Sequence, residues 1–213
     1  MSENDDSLDT FPKVLARNVS KFGNSPAYRE KEYGIWQTWT WSEANQEIMV
    51  LAKGLIKLGV KEGDHVAVIG RNRPYLYWSM VAAQHIGAVP VPLYQDAVAD
   101  EMEYILTHCS ATFAIVGDQE QVDKIHEIQE KIKGLKDIVY VDPKGLRGYD
   151  KSNLHFFDDV LKFGKDDNGD LQTELSKRMA KITGDTTSVL LYTSGTTGRS
   201  KGVVQTHKAI IGA

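Results

Sequence analysis

Cysteine is nearly missing from this chain: Cys109 stands alone among 213 residues. An internal disulfide is therefore impossible, and so is a metal site of the paired-cysteine kind. Long apolar runs are missing too, none approaching the roughly 18 residues that a membrane-crossing helix requires. There is no excess of positive charge: 25 lysines and arginines stand against 29 aspartates and glutamates, a formal charge of −4. The basic residues are dispersed, and net acidity opposes binding to a phosphate backbone, so nucleic acid is not an expected partner. The opening Met1-Ser-Glu-Asn-Asp-Asp6 is acidic and polar, unlike a secretory signal or a transit peptide, and a cytoplasmic location is expected. No internal repeat or low-complexity tract is visible. The chain is long enough for one domain burying up to about 70% of its unfolded surface.

What is present is a regular alternation of elements. After a polar tail, residues 11–22 read as a helix with Leu15, Val19 and Phe22 on one side. Residues 27–29 and 36–39 read as a strand pair turning at Tyr33-Gly34. Thr40 and Glu43 have the spacing of a capping box, and the helix they open carries Ala44, Ile48, Leu51, Leu55 and Leu58 on one face, with Gly59 to close it. His65–Ile69 is an apolar strand, Pro74 suits the first position of a helix running to about Ile86, and a strand follows over 88–92. Pro90 and Pro92 mark that strand as an edge or irregular one. The unit repeats as helix 100–109, strand 112–116, helix 120–133 and strand 137–141. A turn-rich stretch, 142–153, then leads to helices near 156–163 and 171–182. The pattern predicts an α/β fold with a doubly wound, mostly parallel sheet and flanking helices.

Two apolar runs, 188–193 and 202–206, are joined by Thr193-Ser-Gly-Thr-Thr-Gly-Arg-Ser-Lys-Gly202. Glycines let backbone N–H groups approach anionic oxygens without interference from Cβ, and successive N–H groups can form an anion-binding nest. Ser194, Thr196 and Thr197 add short rotatable donors, and Lys201 adds a mobile positive charge. Such a segment suits a polyanionic phosphate chain, with a nucleoside triphosphate as the first reading. A plain glycine-rich hairpin turn is the alternative, though a turn needs neither three hydroxyls nor a lysine.

Spacing excludes the common phosphate loops. A Walker A loop has Gly-Lys-Ser/Thr after a glycine and four residues. Counted from Gly195, that glycine place holds Ser200, and Lys201 is followed by Gly202 instead of a hydroxyl. A Rossmann fingerprint would need glycine where Thr197 and Ser200 stand, and a kinase glycine-rich loop fails in the same way. Tyr192 through Val203 instead resembles the signature Tyr-Thr-Ser-Gly-Thr-Thr-Gly-x-Pro-Lys-Gly-Val of the AMP-forming acyl-CoA synthetases, in the adenylate-forming superfamily. Each fixed place matches except Ser200, where that family carries proline. Serine leaves the loop looser by about 0.4–1 kcal/mol, enough to weaken ATP binding severalfold. Thr206-His207 resembles the continuation of the motif. Upstream, Trp39-Thr-Trp41-Ser-Glu43, Ala52-Lys-Gly-Leu55, Asn72-x-Pro74, Gly87 through Leu93 and Tyr104-Ile-Leu-Thr-His108 resemble scaffold blocks of the same family.

The resemblance implies that residues 1–213 are the N-terminal portion of an AMP-binding domain, truncated just after the phosphate loop, with the C-terminal domain absent. It implies a reaction in which a carboxylate attacks the α-phosphorus of ATP, carried with Mg2+, and coenzyme A then takes the acyl group. It assigns phosphate binding to Thr193, Ser194, Gly195, Thr196, Thr197, Gly198, Arg199, Ser200, Lys201 and Gly202, with Lys201 catalytic and no metal ligand. A chain of this extent is expected to be inactive by itself, and to bind ATP no tighter than about 1 mM, near −4 kcal/mol. Segment 36–41 and connection 137–161 look most like the long-chain fatty acyl-CoA synthetases, which makes a long-chain fatty acid the expected substrate. An aryl or medium-chain acid, or a non-catalytic nucleotide-binding module, are the alternatives. Beyond small molecules, two partner expectations remain: peripheral membrane association of the whole protein, and self-association through unpaired sheet edges.

Other constellations carry less. Asp166-Asp-Asn-Gly-Asp170 lacks acidic residues at the first and twelfth places of a calcium loop and reads as an exposed turn. His108 and Cys109 are adjacent on a helix and cannot converge on a metal, so Cys109 reads as a core residue. His65, His85, His126 and His155 have no partner at recognisable spacing. His207 fits either packing or ligand contact. Arg71 and Arg73 flank a loop after a parallel strand, where ligands often bind, but read better as solvated. Lys124, Lys131 and Lys133 read as a wet helix face.

Overall fold

A computed structural model describes residues 8–193 and 199–212. Helix α1 (Phe11–Phe22) opens the chain, with Thr10 accepting from the Lys13 N–H at its N-terminus. A hairpin follows, β1 (Pro26–Glu32) and β2 (Ile35–Thr40), turning through Tyr33 and Gly34, both at positive φ. Helix α2 (Trp41–Leu58) begins in the expected capping box: the Thr40 hydroxyl accepts from Glu43 N–H, and the Glu43 carboxylate accepts from Thr40 N–H at 2.8 Å. Left-handed Gly59 closes it. Then come β3 (His65–Ile69), α3 (Pro74–His85), β4 (Val89–Leu93), α4 (Ala99–His108), β5 (Phe113–Val116), α5 (Gln119–Ile128) and β6 (Asp137–Tyr140). A short 3-10 turn leads to β7 (Leu154–Phe156), α6 (Phe157–Lys165) and α7 (Asp170–Met179). The described chain ends in β8 (Thr187–Thr193), β9 (Lys201–Thr206) and α8 (His207–Ile211).

Strands β3 to β7 form one parallel sheet in the order β4-β3-β5-β6-β7. Alternate residues serve opposite faces, as a pleated strand requires. Val66 and Val68 of β3, with Phe113 and Ile115 of β5, pack toward α2, α3 and α6. Ala67 and Ile69, with Ala114 and Val116, pack toward α4 and α5. Helices on both faces explain why these strands read as unbroken apolar runs. Strand β4 lies at the sheet's edge, where Pro90 and Pro92 cost no ladder hydrogen bond on the open side.

Four details differ from the sequence expectation. Phe22 is 50% exposed because α1 packs on the core only as far as Leu15 and Val19. Helix α5 stops at Ile128, not near 133, because bonding tightens to i−3 pairs such as Lys131 N–H to Ile128 O. Ile132 nevertheless stays buried, so the apolar face outlasts the helix. Helix α7 stops at Met179, short of 182. Strand β7 is an addition: three residues directly after the turn-rich stretch pair with β6 and extend the sheet by one strand.

Candidate functional site

Strands β8 and β9 pair antiparallel, with Thr193 opposite Lys201, so the glycine- and hydroxyl-rich segment closes a hairpin. Ser194, Gly195, Thr196, Thr197 and Gly198 lie outside the described residues, which resume at Arg199. Thr193 and Lys201 are exposed, as is Arg199; Ser200 and Gly202 are half-buried. Thr193, Arg199, Ser200, Lys201 and Gly202 are thus brought together at one end of the hairpin, across a ladder pair and its neighbours.

Three side chains from the flanking helices fix this hairpin in place. From α3, Gln84 Nε2 donates to the Ser188 carbonyl at 3.0 Å and to the Ser188 hydroxyl at 2.9 Å, both buried. From α4, the Tyr104 hydroxyl donates to the Ser200 carbonyl at 2.9 Å, and the Arg199 guanidinium sits 5.2 Å from the Tyr104 ring centre. One turn along, His108 Nδ1 shares a 2.6 Å hydrogen bond with the Tyr192 hydroxyl. Tyr104 and His108 are an i, i+4 pair and so share one helix face. The sequence reading placed both in scaffold and missed their role; their helical spacing was the available signal. An open cleft of about 770 Å³ lies beside the hairpin, lined by Asp100, Glu101, Glu103, Tyr104, Arg199 and Ser200 among others. Burial pushes the Tyr192 phenol up to about 12, with Cys109 and Tyr104 nearby adding to the shift, so it is neutral at physiological pH.

The crevice where doubly wound sheets usually bind ligands lies beyond the carboxyl ends of β3 and β5. Here the Tyr75 hydroxyl fills it, 2.4 Å and 2.6 Å from where Cβ atoms on Gly70 and Gly117 would lie. Arg73 is tied to Glu30 at 2.6 Å, and Arg71 is exposed. These arginines converge on no common site among the described residues.

The remaining candidates resolve into structural roles. His65 bonds the Cys109 carbonyl, His155 pairs with Asp137 at 2.7 Å, and His126 stacks on Tyr149. Cys109 is buried, and burial pushes its thiol up to about 11, leaving it unreactive at neutral pH. The Asp166–Asp170 turn is less exposed than expected at one point. The Asp167 carboxylate accepts from Gly169, Leu171 and Gln172 N–H groups and lies 3.4 Å from Lys53 Nζ, securing the start of α7. Lys124 is also not simply wet: it bonds the Gln95 carbonyl at 2.8 Å and pairs with Glu120. Among the described residues no group of three or more His, Cys, Asp or Glu could hold a metal ion, and no helix is long and apolar enough to cross a membrane.

His207 is a packing residue here. Its Nδ1 accepts from the Phe11 N–H at 3.2 Å, and its ring lies 5.6 Å from that of Phe11, joining the start of α1 to the start of α8. His207 and His85 are each 1% exposed. Burial brings both down to about 4, and for His207 the neighbouring His85 adds to the effect. With folded values depressed, the unfolded chain binds more protons below the ordinary histidine value. Stability is therefore complete above about pH 6.5 and falls toward pH 4, by about 1.4 kcal/mol per pH unit for each histidine. Thermal unfolding at pH 7 and pH 5 should show a lower midpoint in acid, and His207→Asn should shrink the difference to about half, His85 supplying the rest. Equal pH dependence in that variant would rule out the histidine as its source.

Comparison with known proteins places these features. A family model described as AMP-binding enzyme matches residues 15–213. The long-chain-fatty-acid–CoA ligase ACSBG2 of Homo sapiens is 29% identical over 202 residues, covering 94% of this chain and 29% of its own length. ACSBG2 of Xenopus laevis is 28% identical over 202 residues, covering 94% of this chain and 26% of its own length. The chain thus spans less than a third of these relatives. The crystal structure of the anthranilate CoA ligase AuaEII in complex with anthranoyl-AMP superimposes with a TM-score of 0.76 at 24% identity, over 93% of this chain and 35% of the other, and so shares the fold.

Proposed function

This chain belongs to the AMP-binding enzyme family, and from that premise we propose that it is the N-terminal, phosphate-holding portion of an ATP-dependent acid–CoA ligase. The observation that carries the reading is the Tyr192–Val203 motif, whose described ends lie on a hairpin tethered to helix α4. A long-chain fatty acid is the proposed substrate, supported by relatives whose names carry that activity. ATP enters as its magnesium complex.

In the proposed first step, a carboxylate oxygen bonds to the α-phosphorus, the α–β phosphoanhydride bond breaks, and pyrophosphate leaves. Coenzyme A thiolate then displaces AMP from the acyl carbon. The leaving pyrophosphate gains charge during the first step, so donors aimed at it act most strongly where the barrier is highest. Thr193, the N–H groups of Gly195 to Gly198, Arg199, Ser200 and Gly202, together with the hydroxyls of Ser194, Thr196 and Thr197, are assigned that duty. Lys201 is assigned the neutralising charge.

The test is ATP–pyrophosphate exchange by the full-length enzyme, with fatty acids of graded length beside acetate and benzoate. Exchange that requires an acid, and is fastest with long chains, is the expected result. Phosphate release without any acid would point to an ordinary NTPase and defeat the proposal.

A further inference from the structure

Strand β9 offers the hairpin little support from its outer side: Val203 is 38% exposed and Val204 62%. Two-stranded ribbons are marginally stable by themselves, so the register of any loop they carry depends on what else holds their ends. Helix α4 is well suited to that task. Met102, Ile105 and Leu106 anchor it in the core, and Tyr104 and His108 project from it toward the hairpin.

The two side chains hold opposite strands of the hairpin. Tyr104 takes the β9 side through the Ser200 carbonyl and the Arg199 guanidinium. His108 takes the β8 side through the Tyr192 hydroxyl, with the two rings edge to face at 5.7 Å. Tyr104 and His108 are themselves 5.5 Å apart between ring centres, so the set Arg199–Tyr104–His108–Tyr192 is continuous. Gly202 admits this arrangement: a Cβ there would lie 3.3 Å from the Tyr192 ring and 3.2 Å from Leu190.

We propose that Tyr104 and His108 are positioning residues, which hold the two ends of the phosphate loop at a fixed separation before the nucleotide arrives. The inference rests on the phosphate-loop reading above. Its physical basis is entropic: a loop whose ends are already ordered loses less freedom when phosphate binds. Serine at 200 leaves φ free where a proline would fix it, so a tether on the Ser200 carbonyl restrains a point the chain itself leaves loose.

The decisive variant is Tyr104→Phe, which removes one hydroxyl and keeps the ring. Hydrogen exchange of the 213-residue chain should accelerate at residues 191–193 and 200–203, about threefold to tenfold for one lost hydrogen bond, with β3 and β5 unchanged. In the full-length enzyme, KM for ATP should rise by a similar factor of about three to ten, with kcat and the KM for the acid within about twofold. His108→Ala and Tyr192→Phe should each weaken ATP use, and the double variant should be no worse than His108→Ala alone.

Unchanged exchange at the hairpin ends would overturn the proposal. So would acceleration spread equally through β3 and β5, which marks a packing residue, or an unchanged KM for ATP. If no acid supports adenylation, the ligase reading fails separately. Inorganic tripolyphosphate then decides the positioning role: protection of residues 191–193 and 200–203 that is weaker in Tyr104→Phe upholds it, and equal or absent protection overturns it.

Discussion

Lys201→Ala is expected to slow acid-dependent adenylation by about 10²-fold, the loss typical of one donor aimed at developing charge. Lys201 is exposed at the first position of β9, directly across the ladder from Thr193. A strand residue has its backbone fixed by the ladder while its long side chain stays mobile, which suits a group that must follow a leaving pyrophosphate. The effect should fall on kcat more than on KM for ATP, since the charge it meets grows as the bond breaks. Lys201→Arg should recover part of the rate, because charge is kept while reach and shape are altered. Single-turnover formation of acyl-adenylate is the measurement. An unchanged rate in Lys201→Ala would remove this lysine from the chemistry and leave the loop a binding element alone.

The second large effect concerns the scaffold. Gly164→Ala, in α6, is expected to destabilise the chain by about 1–3 kcal/mol or more. A Cβ at 164 would lie 2.0 Å from the Val50 carbonyl oxygen, and one at Gly54, in α2, 2.2 Å from the Val160 carbonyl oxygen. Backbone meets backbone in both cases, so no side chain can swing aside. In an open helix the same change would add about 1 kcal/mol of stability; here the clash reverses the sign. At about 2–4 °C per kcal/mol for a chain of this size, the thermal midpoint should drop by several degrees. Gly148→Ala is the control, with nothing within 4 Å of its Cβ position, and should change stability by no more than about 0.5 kcal/mol. An unshifted midpoint in Gly164→Ala would mean that α2 and α6 separate more readily than their packing indicates.

These two predictions draw on different levels of information. Lys201 stood out in the sequence because the phosphate-binding role proposed for its segment demands certain residue types within a short span, and local spacing records that demand. The capping box at Thr40 and Glu43 and the buried strand at His65–Ile69 were legible for the same reason. Each depends on neighbours a few residues away along the chain. Gly54 and Gly164 carried no such mark. They lie 110 positions apart in the sequence, and nothing near either one says that another helix backbone will press on it.

The sequence by itself determined the α/β class, the order of the main strands and helices, and the edge character set by Pro90 and Pro92, and it marked the residues proposed to form the phosphate loop. Periodicity, propensity and motif spacing are local properties, and local order is enough to express them. Tertiary structure alone decided the rest. It added β7 to the sheet, filled the strand-end crevice with Tyr75, buried His207 against Phe11, and brought Tyr104 and His108 of α4 to both sides of the hairpin. Each of these joins residues distant in the chain through a hydrogen bond or a close contact. Such pairings become defined when the layers pack, because only then do distant surfaces share one space.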